Sequence, residues 1–545
     1  MATIDVINPA RAVHNQALAL QPVDLFEIDL ALREALEREG GAWGVDRAHE
    51  AGIVAGSVET LEHSRRAERN QPILRTHDRY GHRIDEVDLD PSWHWLLRGA
   101  IEREVHSLPW REPRPGAHVV RAALFTLWGN ANAGVMCPVS MTYAAIPALR
   151  DGAPALAAEW EPRLTRPDYE RGALAGMAMT ERQGGSDVRA NITRAEPLGD
   201  GSYELHGHKW FCSYPSCDVF LVLAQTGCPS RLSCFLVERG PGMEFQRLKD
   251  KLGTRSLPSS EVEFDGAHGQ LVGEPGRGVP AIIRMVNHTR LDCLLGATTG
   301  LRRGTVEAIN HARQRSAFGA LLVDQPAMRN VLADLAIESE GATAAAMRIA
   351  RGYDEPAAAA FRRFATAVMK YWACKRAPAH AAEALECLGG NGFVEDSGMP
   401  LLYRDAPLGS IWEGSGNVAA LDVLRAMAKE PDGLPSFLAE CELAAGGDAR
   451  LDAHLAHVRE QGRALLAGRQ NESLEERLYD SQFGARRVVE DLAIALQASL
   501  LVRHAPAAVA DAFCAARLGG GGGRAYGTLP RGVDARAIVE RALPA

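Results

Sequence analysis

Met177-Ala178-Met179-Thr180-Glu181-Arg182-Gln183-Gly184-Gly185-Ser186-Asp187-Val188 stands where the chain changes character. Before it, to about residue 172, apolar residues recur at helical spacing; after it, from Tyr203, they alternate with a period near two. The stretch itself suits a ligand loop. Thr180 and Ser186 offer hydroxyls, and Gly184-Gly185 bares backbone N–H groups that can approach a phosphate or a ring edge. A polar turn would use the same residues. No Gly-x-Gly-x-x-Gly opens a helix after a strand, so this is not a dinucleotide fingerprint.

Working outward, residues 25–39, 91–105 and 119–127 carry helical periodicity, and Trp93, Trp95, Trp110 and Trp128 fit core anchors. Residues 203–207, 219–223, 232–237 and 261–266 read as short strands bounded by turn residues, which predicts an antiparallel β domain. Helices return at about residue 279. The pattern predicts them over 302–316, 328–353, 356–388 and 414–429, with Pro378 expected to kink or split the third. Strands do not alternate with helices, which disfavours a doubly wound sheet. The expected fold class is α+β, in four parts: a helical domain over 1–172, a β domain over 173–285, a helical bundle over 286–432 and a further mostly helical segment over 433–545.

With 545 residues, several cores are expected; 46% hydrophobic and 24% charged residues are ordinary for a globular protein. A net charge of −9 argues against a generally basic, nucleic-acid-coating protein. The start lacks the pattern of a secretory signal, and no apolar run reaches membrane-spanning length. The ten cysteines form no Cys-x-x-Cys pair, so a metal site is not expected. Scattered thiols fit a reducing, cytoplasmic setting.

Four more stretches carry chemistry. Gly207-His208-Lys209-Trp210-Phe211-Cys212-Ser213 sets two aromatics before a hydroxyl, which suits the wall of a flat ring and equally a half-buried strand. In His311-Ala312-Arg313-Gln314-Arg315-Ser316-Ala317-Phe318-Gly319, a helical register puts Arg315 and Phe318 on one face. A helix stop at Gly319 explains the same residues. Glu386-Cys387-Leu388-Gly389-Gly390-Asn391-Gly392-Phe393 ends a helix in a glycine turn. In Gly409-Ser410-Ile411-Trp412-Glu413-Gly414-Ser415-Gly416-Asn417 a carboxylate sits beside a large aromatic and before glycines; Ser415 also reads as a plain helix cap.

In this order, these stretches resemble the acyl-CoA dehydrogenase flavoproteins, and within them the AidB, alkylation-response, branch. The turn Lys249-Asp250-Lys251-Leu252-Gly253 and the extra C-terminal segment belong to the same likeness. The resemblance implies FAD, an acyl-CoA thioester substrate and a homotetramer. It implies α,β-dehydrogenation of a short or branched acyl-CoA, with Glu413 as base, Arg290 close to it and hydride passing to flavin N5. Met177, Met179, Thr180, Gly184, Gly185 and Ser186 would line the flavin and its phosphates. Phe211, Cys212 and Ser213 would stand beside the ring, with Phe211 in the position of the family's tryptophan. Trp412, Ser415 and Asn417 would complete the cofactor site. Arg315, Phe318, Gln325, Gly389 and Gly390 would reach FAD held by a neighbouring subunit. Trp412 stands where many relatives have tyrosine, and its bulk is expected to shorten the acyl pocket.

The branch also implies an alternative: a flavoprotein that binds double-stranded DNA through its C-terminal domain and protects it from alkylation, with residual dehydrogenase activity. Residues 451–545 hold twelve arginines, no lysine and eleven acids, a net of +1 against −10 for the remainder. That contrast fits a duplex-binding face, and it fits solvated helix faces as well.

Overall fold

A computed structural model of the chain describes residues 13–227, 231–467, 476, 479 and 481–544. The first residues and Cys228 lie outside that description. The helices α1 (Leu30–Leu36), α2 (Val45–Ala55) and α3 (Val58–Arg69) lead into a hairpin, β1 (Ile73–His77) and β2 (Arg83–Asp88). Then come α4 (Pro91–Glu102), α5 (Leu108–Arg111), α6 (Ala117–Gly129), α7 (Met136–Gly152) and α8 (Pro154–Leu164). The hairpin is an addition to the all-helical expectation. Five and six residues suffice for the two strands, and Asp78 closes the turn by accepting from the Tyr80 and His82 N–H groups at 2.8 and 2.9 Å.

Seven strands follow: β3 (Ala175–Ala178), β4 (Arg194–Pro197), β5 (Ser202–Cys212), β6 (Val219–Gln225), β7 (Leu232–Glu238), β8 (Met243–Leu248) and β9 (Ser260–Val272). Most pairings are antiparallel, but β3 and β4 both pair parallel with β6. The sheet is therefore mixed, a correction to the antiparallel expectation. Pairings β4–β5–β9–β7–β6 return to β4, so the sheet closes on itself with β3 and β8 attached. A parallel neighbour needs a long crossover, and the 181–193 loop with β4 and β5 supplies it between β3 and β6.

The bundle comprises α9 (Gly278–Gln314), α10 (Pro326–Asp354), α11 (Ala359–Cys387) and α13 (Gly416–Lys429), with the short α12 (Met399–Asp405) before the last. The expected helix over 302–316 is the C-terminal part of the 37-residue α9. Its glycines do not break it, and Gly304 is a contact point. A Cβ on Gly304 would come within 3.1 Å of the Ala384 Cβ, so glycine lets α9 and α11 approach. Pro378 does not split α11, which is packed against α9, α10 and α13 along its length.

Helices Gly433–Glu442, Ala449–Ala467, Ala485–His504, Ala507–Arg517 and Ala535–Ala542 dock on this bundle. Three of their arginines face inward, whereas Arg463, Arg487 and Arg536 stay largely exposed. Arg503 pairs with Glu440 (2.8 Å), Arg517 with Asp334 (2.5 Å) and Glu338 (3.1 Å), and Arg541 with Glu340 (2.8 Å) and Glu34 (2.6 Å). Among the described arginines past residue 450, only Arg524 and Arg531 make neither an ion pair nor a hydrogen bond. No helix among the described residues is long and apolar enough to cross a membrane.

Candidate functional site

A cavity of about 1040 Å³ opens between the sheet, α7, α9, α13 and the 408–415 loop. That loop is the site's centre. Glu413 has φ 56° and Gly414 φ 95°, a left-handed pair that a glutamate adopts only under constraint. The constraint is a clamp on three successive carbonyls. Lys370 Nζ donates to the Trp412 carbonyl at 2.8 Å and the Gly414 carbonyl at 2.6 Å, and Arg290 Nε donates to the Glu413 carbonyl at 3.0 Å. Asp422 holds the clamp from behind, accepting from Arg290 Nη1 at 2.7 Å and Arg363 Nη2 at 3.0 Å. Ser415 occupies the N-cap position of α13, but its hydroxyl makes no capping bond.

The Glu413 carboxylate lines the cavity, with Oε2 accepting from the Thr289 hydroxyl at 2.8 Å. The same hydroxyl lies 3.1 Å from the Val286 carbonyl. One proton serves one acceptor at a time, so Thr289 suits both states of the acid. It donates to the carboxylate, or accepts from the protonated acid while donating to Val286. Burial raises the Glu413 pKa above the ordinary glutamate value, opposed by the Thr289 hydrogen bond and by the Arg290 and Lys370 charges. A base must be ionised, so base function rises with pH through that raised value. Thr289→Val removes the bond to the ionised form, and the acid limb of a pH–rate profile is expected to move to higher pH. An unmoved limb would mean that Thr289 does not contact the working base.

The two upstream motifs are bolted together beneath the cavity. Lys209 Nζ, fully buried, donates to Glu181 Oε1 and to the Leu223 carbonyl, both at 2.7 Å. Glu181 also accepts from Ile192 N (2.7 Å), the Thr193 hydroxyl (2.6 Å) and the Gln183 amide (2.7 Å). Burial pushes Glu181 up, but the Lys209 charge and these bonds outweigh it and hold the carboxyl below its ordinary value. Burial brings the Lys209 ammonium down to about 8. Glu181 thus fixes the loop that follows it.

Strand alternation sorts the 207–213 segment. Phe211 and Ser213 line the cavity; Trp210 faces away, with Lys249 Nζ 3.2 Å from its ring centroid. Cys212 departs from the sequence expectation, because the same alternation buries it and keeps it out of the lining. Met177, Met179, Thr180, Gly185 and Ser186 line the cavity, as do Arg290, Trp412 and Ser415; Gly184 does not. Asn417 is turned outward, where its Oδ1 accepts from Arg486 at 2.9 Å. Arg315, Phe318, Gln325, Gly389 and Gly390 lie outside the lining. Arg315 and Phe318 share no helix face: α9 ends at Gln314, Arg315 is extended, and Phe318 sits fully exposed at φ 51° on a two-residue hairpin.

The residues present fit a flavin nucleotide. The Thr180 and Ser186 hydroxyls and the Gly185 and Ser186 N–H groups have no hydrogen-bond partner among the described residues. A Cβ on Gly185 would meet Thr180 Oγ1 at 2.9 Å, so glycine is needed where this loop closes. The indole N–H of Trp412 is a buried donor without a partner. Hydroxyls, free N–H groups and apolar walls (Phe211, Val286, Ile411) are what a planar ring with polar edges requires. Among the described residues one group has metal-ligand character, Asp24, Glu27 and His49, away from the cavity.

Sequence reasoning missed Thr289, Lys370, Asp422, Glu181 and Lys209. Thr289 adjoins Arg290 and was within reach. Lys370 lies in mid-α11 with no local signal.

Three family models match the chain: the adaptive response protein AidB N-terminal domain over residues 15–171, the acyl-CoA dehydrogenase middle domain over 176–267 and the acyl-CoA dehydrogenase C-terminal domain over 276–428. The putative acyl-CoA dehydrogenase AidB of Escherichia coli (strain K12) is 45% identical over 457 residues, covering 80% of this chain and 84% of that one. Acyl-CoA dehydrogenase family member 11 of Caenorhabditis elegans is 32% identical over 515 residues, covering 88% and 83%. The crystal structure of Caenorhabditis elegans ACDH-11 in complex with C11-CoA superposes with a TM-score of 0.83 at 27% identity, covering 98% of this chain and 93% of that chain.

Proposed function

The chain belongs to the acyl-CoA dehydrogenase family, in its AidB-type branch, and from that premise we propose that Glu413 is the base of an α,β-dehydrogenation of an acyl-CoA thioester. It is an FAD-dependent oxidoreductase of acyl-CoA dehydrogenase type. The observation that carries the role of Glu413 is the clamped left-handed turn that presents its carboxylate to the cavity.

A thioester α-proton is too weakly acidic in water for a carboxylate to remove. Two properties of the turn answer this. Burial makes Glu413 a stronger base than a solvated glutamate. Its backbone N–H has no hydrogen-bond partner among the described residues, which leaves a donor for the thioester oxygen as negative charge develops there. Lys370 and Arg290 keep that N–H and the carboxylate in one fixed geometry. Bound FAD supplies the acceptor for the β-hydrogen, which leaves as hydride. Met179, Thr180, Gly185, Ser186, Phe211, Ser213 and Trp412 would hold the cofactor.

The mouth of the cavity supports the coenzyme A half. Val418, Asp422, Arg425 and Lys429 follow one another on one face of α13, and Arg189 lines the same cavity. Lys429 lies thirteen residues beyond Gly416, about 20 Å along the axis at 1.5 Å per residue. Cations at that distance from the base suit the diphosphate end of a pantetheine arm. Arg315, Phe318, Gln325, Gly389 and Gly390 are assigned to FAD in an adjacent copy of a homotetramer, which accounts for a phenylalanine standing free in solvent. The DNA-protecting alternative has less support, because among the described arginines of the C-terminal helices Arg503, Arg517 and Arg541 are turned inward onto acids and are not presented to phosphates.

The test is anaerobic addition of butyryl- and isovaleryl-CoA to FAD-loaded protein, followed by flavin absorbance. Bleaching is expected. Protein that takes up no FAD, or whose flavin stays oxidised with every acyl-CoA, would overturn the reading.

A further inference from the structure

The cavity does not end at Trp412. Cavity-lining positions continue along α9 beyond Thr289 and Arg290, through Cys293, Gly296, Ala297 and Gly300 to Arg303. Thr289 to Arg303 is fourteen residues, about 21 Å of helix, a run that accommodates an extended acyl chain of about ten to twelve carbons once the arginine's own reach is allowed for. Gly296 leaves that path open: nothing lies within 4 Å of where its Cβ would stand.

The far end is not a hydrocarbon floor. Arg303 lines it, and among the described residues its guanidinium makes neither an ion pair nor a hydrogen bond. Asp405 and Glu307 lie near without closing on it. Asp405 accepts from Thr254 N at 2.7 Å, and burial pushes its carboxyl up to about 7. Lys251 Nζ donates to the Leu257 carbonyl and to Ser259 Oγ (3.1 Å), which leaves one N–H unused. Ser64 and Asn132 add polar lining, and Leu402, beside Gly300, adds apolar surface. A methyl terminus here would strip water from an arginine and return no hydrogen bond, a cost that favours a terminus able to accept one.

We propose, on the dehydrogenase reading above, that the acyl chain runs along this face of α9 and ends in an oxygen-bearing group, carboxylate or hydroxyl, received by Arg303 and Lys251. The substrate class is then an ω-oxygenated, medium- to long-chain acyl-CoA. A short or branched chain would fill only the part of the cavity next to Glu413.

The decisive measurement is binding, so that it does not depend on turnover. FAD-loaded Glu413→Gln protein is titrated calorimetrically with dodecanoyl-CoA, ω-carboxydodecanoyl-CoA and ω-hydroxydodecanoyl-CoA. At least one oxygenated chain is expected to bind about tenfold or more tightly than dodecanoyl-CoA. Adding Arg303→Met should erase that preference; Lys251→Met is the second variant if Arg303→Met does not retain FAD. Gly296→Phe, which fills the open space, should weaken all three relative to butyryl-CoA. Dodecanoyl-CoA binding as tightly as both oxygenated chains, or a preference that survives in these variants, would overturn the proposal. If wild-type flavin stays oxidised with every acyl-CoA, the dehydrogenase reading fails, while the binding comparison still decides this one.

Discussion

Glu413→Gln in the FAD-loaded protein is expected to slow anaerobic flavin bleaching by acyl-CoA about 10³-fold, within the 10²–10⁴ range that a positioned general base contributes. The substitution is nearly isosteric, and the clamp on the turn uses backbone carbonyls, so Lys370 and Arg290 keep their bonds. The left-handed turn, its free N–H and bound FAD should persist while the proton acceptor is lost. Other cavity carboxylates are poorly placed to substitute. Asp292 is locked in a buried pair with Arg121 (2.7 Å to Nη2), and Asp422 is shared by Arg290 and Arg363. Asp405 belongs to the Arg303 end, and Asp187 is an exposed N-cap for the turn after it. Bleaching at an undiminished rate would move the base elsewhere and leave the strained turn unexplained.

Breaking the Glu181–Lys209 pair should produce the largest loss of stability. Lys209→Met leaves a buried carboxylate without its counter-charge, and Glu181→Ala leaves a buried ammonium; each is expected to cost about 3–5 kcal/mol. Glu181→Ala also frees the Ile192 and Thr193 donors and unpins the 181–193 loop, so FAD retention should fall with stability. A double replacement by apolar residues of similar volume, Glu181→Leu with Lys209→Met, should cost less than either single change, because no lone charge remains buried. Denaturant melts of wild type, the two single variants and the double variant measure these differences. Single variants within about 0.5 kcal/mol of wild type, the range of ordinary surface changes, would show that the bolt is not structural.

Much of this was legible from local pattern. The switch from helical to alternating periodicity at the 177–188 stretch marked the passage into the sheet. Composition of the glycine-bordered loops singled out Glu413, Thr180 and Ser186 before any geometry was known. The 311–319 segment shows where such reasoning stops. A helical register put Arg315 and Phe318 on one face, yet the helix ends one residue earlier and they part. The β1–β2 hairpin went unread because strands of five and six residues among helices give too short a window for a period to register.

The sequence alone determined the order of helix, sheet and helix and the presence of an acid in a flexible turn, because periodicity and turn chemistry are properties of neighbouring residues. Only the tertiary structure decided that this acid is held at positive φ by Lys370, forty-three positions upstream, and that Arg303 closes the far end of the same cavity. Those facts depend on which buried charges meet across packed helices. The meeting is enforced by the cost of leaving a cation or a carbonyl unpaired in the core, and no local stretch of sequence records it.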